Sequence, residues 1–132
     1  MKRFREARDR GGAHLLAQQR PGGGFGNPAL GAIEYYKVLA AFQVCGETNA
    51  ANRLCAWIRQ HGMTAAGDFG PRPRPGSKYA ELHAEYAYIY YNSWVIIGAH
   101  RLGQFDLSQR GMDFLLDFLD FLLDFLLDFL LE

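Results

Sequence analysis

Apolar positions recur at helical spacing along most of the chain, and glycine- and proline-rich stretches interrupt them. Ile33, Tyr36, Val38, Leu39 and Phe42 line one face of a helix predicted over about 29–44. Similar patterns predict helices over about 4–19, 49–60 and 78–102. A fifth helix begins near Leu107–Ser108 and runs to the end. Thr48 or Asn49 is placed to cap the third helix, and Asp106 or Ser108 the fifth, because a short polar side chain can accept from the free N–H groups of a first turn. The breaks fall at Arg20–Pro28 and at Gly62–Gly76. β-branched residues are scarce and strict alternation is absent, so strands are not expected. The predicted class is all-α.

The pattern changes character near the end, which divides the chain into a repeat domain over 1–112 and a low-complexity segment over 113–132. The last twenty residues hold six acids and fourteen Phe or Leu. Asp113, Asp117, Asp120, Asp124 and Asp128 are spaced 4, 3, 4 and 4, one narrow stripe of a helix whose remaining surface is apolar. Like charges at this spacing oppose the helix by a few tenths of a kcal/mol per pair. Such a helix either buries its apolar faces in self-association or is an artificial ending. The near-perfect repetition favours the second.

Gly24-Phe25-Gly26 returns as Asp68-Phe69-Gly70 after 44 residues, and Arg10-Gly11 as Arg110-Gly111 after 100. A period in this range with paired helices indicates stacked or ring-closed hairpins. One copy is spelled out by Arg10, Gly11, Leu15, Gln19, Gly23 and Phe25. Trp57, Gln60, Gly67 and Phe69 supply the same residue types in a second copy with a longer loop. A third starts at Arg110-Gly111 and dissolves into the tail.

This spacing resembles the QW repeat of squalene and oxidosqualene cyclases and their terpene-cyclase and prenyltransferase relatives, with Phe25 where that family prefers Trp. The resemblance covers roughly residues 5–116. It implies an α/α toroid, of which five helices make less than half a ring. The spacing has its own physical sense. A glutamine closing one helix is expected to bond the free N–H groups that open the next, glycines let the chain reverse, and the aromatic ring packs over the glutamine.

Charge excludes several classes. The net charge is zero, against the broad basic footprint of a nucleic-acid binder. It is unevenly spread: residues 1–66 hold nine Lys/Arg and four Asp/Glu, a balance of +5, while 113–132 hold six acids and no base, a balance of −6. No signal-peptide pattern and no run of about 18 uncharged apolar residues occurs, so a cytoplasmic protein without a membrane span is expected. Cys45 and Cys55 are then expected to be free, small apolar side chains.

Catalytic signatures are missing. The Asp-x-Asp-Asp acid of the cyclase branch is absent, and the cysteines and histidines do not reproduce the zinc set of the farnesyltransferase branch. His83-Ala84-Glu85 lacks the second half of a zinc deaminase signature. Gly22–Gly26 is not followed by Gly-Lys-Ser/Thr and so is a turn, not a phosphate loop. No metal and no cofactor is expected.

One segment is informative for binding. Tyr79, His83, Tyr86, Tyr90, Trp94 and Ile97 fall on one helical face, with Tyr88, Tyr91 and Val95 beside it. Such a face either packs in the core or forms an aromatic wall for a ligand, and Tyr79, His83, Tyr86, Tyr90 and Trp94 are the candidate contacts. The resemblance implies a small apolar, isoprenoid-type ligand. A fragment of a toroidal carbohydrate-active enzyme, of glycosidase or sugar-epimerase type, and a purely structural or artificial helical protein are the other two readings. An incomplete ring leaves apolar faces open, so self-association is expected.

Overall fold

The computed structural model describes residues 2–70 and 85–131, at 29, 85–88 and 125–131 by their backbone alone. Five α-helices follow one another: α1 (Lys2–Gln18), α2 (Val38–Cys45), α3 (Thr48–Trp57), α4 (Glu85–Arg101) and α5 (Phe105–Leu131). The described residues form no strand, and their one ladder contact is an isolated antiparallel bridge between Met63 and Phe69. The all-α class and the five helices agree with the pattern. Residues 78–84 of the predicted fourth helix lie outside the described residues.

Two predicted helices are shorter than their apolar patterns. The stretch over 29–44 splits into a 3₁₀ segment, Pro28–Glu34, and α2. Gly31 sits at φ 70°, ψ −149°, a conformation that no helix contains, and it breaks the predicted helix there. The break rotates the buried face: Tyr35 is buried, whereas Ile33 and Tyr36 are only half-buried. The third helix ends differently, by widening into a π turn over Ile58–Gly62. Thr48 opens α3 with Glu47 before it, and no side chain caps that end.

α2 packs against α1, α3 and α4, and α4 against α5. This places α2 and α4 side by side, with α1, α3 and α5 covering them. Gly98 permits the α2–α4 approach: a Cβ there would lie 2.7 Å from the Leu39 Cβ. The core is drawn from every layer. Leu39 and Phe42 of α2, Leu54 and Cys55 of α3, Val95 and Ala99 of α4, and Leu107 of α5 are fully or almost fully buried. Phe25 and Phe69 enter the same core from the two loops.

Those loops are built alike. Gly23 N–H donates to Arg20 O at 2.8 Å and Arg20 N–H to Gly24 O at 2.9 Å. Forty-four residues on, Gly67 N–H donates to Thr64 O at 3.1 Å and Thr64 N–H to Asp68 O at 2.9 Å. Gly23 has φ +93° and Gly67 φ +97°. Each glycine presses on a helix carbonyl, so that a Cβ would stand 2.4 Å from Arg53 O in the first case and 2.5 Å from Arg110 O in the second. The π turn accounts for the different spacing of the two copies. Arg10 precedes Gly23 by 13 residues and Arg53 precedes Gly67 by 14, and the wider turn takes up the extra residue.

The repeat differs in detail from its expected bonding. Gln19 meets carbonyls, not N–H groups: its Nε2 donates to Gly23 O and to Ala50 O, both at 2.9 Å. Its Oε1 accepts from Arg53 Nη2 at 2.7 Å. A charged guanidinium is the stronger donor and claims the amide oxygen, leaving the NH₂ to the carbonyls. The Phe25 ring meets Phe42 at 5.9 Å in the core. Gln60 is exposed. Four residues before Gly67, where Gln19 stands before Gly23, is Met63. Arg110 instead holds the second loop, with Nη2 at 3.4 Å from both Thr64 O and Ala65 O. Trp57 lies against Gly24 and edge-on to Tyr35 at 5.5 Å.

The π turn after α3 and the start of α5 are tied at the surface. Arg59 donates Nε to Asp106 Oδ2 at 2.6 Å, and Nη2 to Asp106 Oδ1 at 2.7 Å and Gln104 Oε1 at 2.6 Å. These bonds hold the Asp106 carboxyl below the usual carboxylate range. A depressed folded value means that the stabilisation is present above the ordinary carboxylate range and disappears as pH falls through the folded one. Both groups are more than a third exposed, so Arg59→Ala costs no more than about 1 kcal/mol at pH 7. Thermal denaturation at pH 7 and at about pH 2.5 checks this. The loss is smaller at the lower pH, and an equal loss at both would mean that the charge pair contributes nothing.

Candidate ligand-binding face

Of the five candidate wall residues, Tyr79 and His83 lie outside the described residues, and Tyr86 is described by its backbone in α4. Tyr90 and Trp94 stand one turn apart, with ring centroids at 6.2 Å and planes at 77°. Tyr90 and Ile97 are each 45% exposed. This part of the helical face therefore does not pack in the core. The buried side of α4 belongs to Asn92, Val95, Ile96 and Ala99. Asn92 Oδ1 accepts from Phe69 N–H at 2.7 Å, which anchors α4 to the second loop.

Sequence reasoning missed Lys37 and Tyr36. Lys37 immediately precedes α2, and its Nζ lies 5.2, 5.5 and 5.4 Å from the ring centroids of Tyr36, Tyr90 and Trp94. Three aromatic rings thus surround one ammonium, whose charge is attracted by their electron-rich faces. Tyr36 is itself held by Tyr91, edge-on at 4.7 Å. The Tyr90 hydroxyl, accepting from the ammonium, raises the Lys37 pKa, and the same bond lowers that of Tyr90. Lys37 is a firm cation at neutral pH. Its distance in sequence from Tyr90 hides the cluster, although a lone Lys between Tyr36 and Val38 in an apolar stretch was a signal worth reading.

Beside the cluster runs an open cleft of about 600 Å³ between α1 and α2. Leu15, Ala40, Ala41 and Val44 line it, and its surface is almost wholly apolar, with Arg8, His14 and Lys37 at its border contributing carbon atoms. Trp94 belongs both to the cleft lining and to the aromatic cluster. The arrangement offers an apolar trough, stacking surfaces and a fixed positive charge. These are recognition groups.

The cysteines keep to packing. Cys45 Sγ donates to Arg8 O at 3.5 Å, and burial pushes the Cys55 thiol up to about 11. Among the described residues no three His, Cys, Asp or Glu side chains are grouped to hold a metal ion. Nor is any described helix long and apolar enough to cross a membrane. A second polar group lies deeper. The Tyr35 hydroxyl is buried without a hydrogen-bond partner among the described residues, and burial followed by the nearby Asp68 charge raises its pKa. Asp68 accepts from the Thr64 hydroxyl.

No family model matches the chain, and comparison with curated proteins and with solved structures likewise yields no match.

Proposed function

We propose that the chain is part of an α/α toroid of the terpene-cyclase and prenyltransferase kind, and that it holds an apolar, isoprenoid-type ligand against Tyr90 and Trp94. The recurring loop, with a positive-φ glycine pressed on a helix carbonyl at Gly23 and again at Gly67, supports the repeat. The observation that carries the binding role is the exposure of Tyr90 and Ile97, with the half-buried Trp94 between them, beside an apolar cleft. Large rings left open to solvent gain by covering apolar surface, and their faces stack on unsaturated chains. The chain lacks the Asp-x-Asp-Asp acid that starts cyclisation in that family, so the role proposed is binding without turnover.

Titration with farnesol, followed by tryptophan fluorescence, tests this. Wild type gives a saturable change, and Tyr90→Ala, which leaves the Trp94 reporter in place, weakens binding about tenfold, the loss of one good ring contact. A response to an oligosaccharide and none to farnesol would transfer the face to a carbohydrate-binding protein. Silence toward both would leave a structural protein.

A further inference from the structure

We propose that the cleft between α1 and α2 receives the acidic, Leu/Phe-rich half of α5 from a second copy of this chain, head to tail. The two surfaces match in kind. The cleft is apolar along Leu15, Ala41 and Val44, with Val44 66% exposed, and is bordered by Lys37 and by Arg8, whose guanidinium pairs with Asp9 at 2.6 Å. The free face of α5 shows Leu116, Leu119, Phe121 and Leu123, each at least half exposed, among the exposed carboxylates of Asp113, Asp117, Asp120 and Asp124. Contiguous apolar surface of this kind is rare on a monomer and is normally covered.

Charge points the same way. α1 carries Lys2, Arg3, Arg5, Arg8 and Arg10 against Glu6 and Asp9, a local excess of three positive charges. The segment 113–124 carries four acids and no base. Opposite patches steer encounter and set orientation, whereas two acidic tails repel one another. The chain cannot satisfy both surfaces alone. α5 is one unbroken helix of 27 residues, about 40 Å long, and its first half is fixed against α4, so its distal half cannot turn back to α1 of its own chain.

The repeat gives a further reason for this polarity. Arg53 and Arg110 each receive a glycine loop on their carbonyls, whereas among the described residues no glycine presses on Arg10, the equivalent position in α1. α1 and α5 are the two ends of the row, and end units of repeat arrays need a cover. Because the meeting surfaces differ, the contact is heterologous and gives either a closed ring or a growing filament.

Light scattering coupled to size exclusion, on the full chain over a range of concentrations, tests the proposal. Wild type assembles. Val44→Glu in the cleft, with Arg8→Glu as a second cleft variant, and Leu116→Lys/Leu119→Lys on α5 each weaken assembly about tenfold or more, as expected where a central contact is lost and a repulsive charge placed. All these positions are exposed, and a cooperative melt confirms that each variant folds. The decisive sample mixes a cleft variant with the α5 variant. One intact cleft then meets one intact helix, so the mixture forms a dimer that stops at two. A monomeric wild type, cleft variants that still assemble, or a mixture that stays monomeric would each overturn the proposal. Ligand binding is not needed for any of these outcomes, so failure of the farnesol titration leaves this test standing.

Discussion

Phe42→Ala lowers the stability of the fold by about 3–5 kcal/mol, the cost of deleting a fully buried ring and leaving a cavity. Phe42 is completely buried in α2, the helix that touches α1, α3 and α4, and its ring meets Phe25 at 5.9 Å. The cavity would open where these helices and the first loop converge, so no single side chain can move in to fill it. Domains of this size are stable by about 5–15 kcal/mol in total, so the variant loses a large share of that margin. Urea denaturation followed by circular dichroism measures it. Val44→Ala, just over half a turn away and 66% exposed, is the control and changes stability little. Equal effects at the two sites would mean that α2 does not sit at the centre of the core.

Gly23→Ala and Gly67→Ala each cost about 2–5 kcal/mol, because backbone strain and overpacking add at one atom. Both glycines hold a left-handed φ, and a Cβ on either would stand within 2.5 Å of a backbone carbonyl, that of Arg53 or of Arg110. Backbone cannot rotate aside as a flexible side chain can, so the loop must lift off the helix and take Phe25 or Phe69 with it. Gly46→Ala separates the two terms. It has φ +76° with nothing within 4 Å of its Cβ position, so it pays only the strain, about 1–2 kcal/mol. Denaturation of the three variants side by side gives the difference directly. Similar losses at all three would mean that the loops do not press on the helices, and the structural equivalence of the two copies would fall with them.

The helices were legible because their apolar residues recur at the helical period, and so were their breaks, at glycine and proline. The split at Gly31 was harder to read. A single glycine inside an apolar pattern is compatible with a continuous helix, whereas the folded chain takes the broken one, with Tyr35 edge-on to Trp57. The repeat was visible as Phe-Gly pairs 44 residues apart, but Gln60 was assigned to the second copy because residue type suggested it. Residue type does not show that a π turn has absorbed one residue, nor that Arg110 replaces the glutamine as the loop's anchor. Of the candidate wall, the sequence marked Tyr90 and Trp94 as one helical face. It could not say whether that face was core or surface, since both environments take aromatic rings.

Sequence alone therefore determined the all-α class, the order of the helices, the two Phe-Gly loops and the acidic stripe at the end. All of these follow from local spacing and backbone preference. Tertiary structure decided what depends on residues far apart: the exposure of Tyr90 and Ile97, the placing of Lys37 among two rings of α4 and one from the turn before α2, and the pressing of Gly23 and Gly67 onto the carbonyls of Arg53 and Arg110. The physical reason is that burial and charge proximity are properties of neighbours in space, and a chain's own periodicity carries only the neighbours along one element.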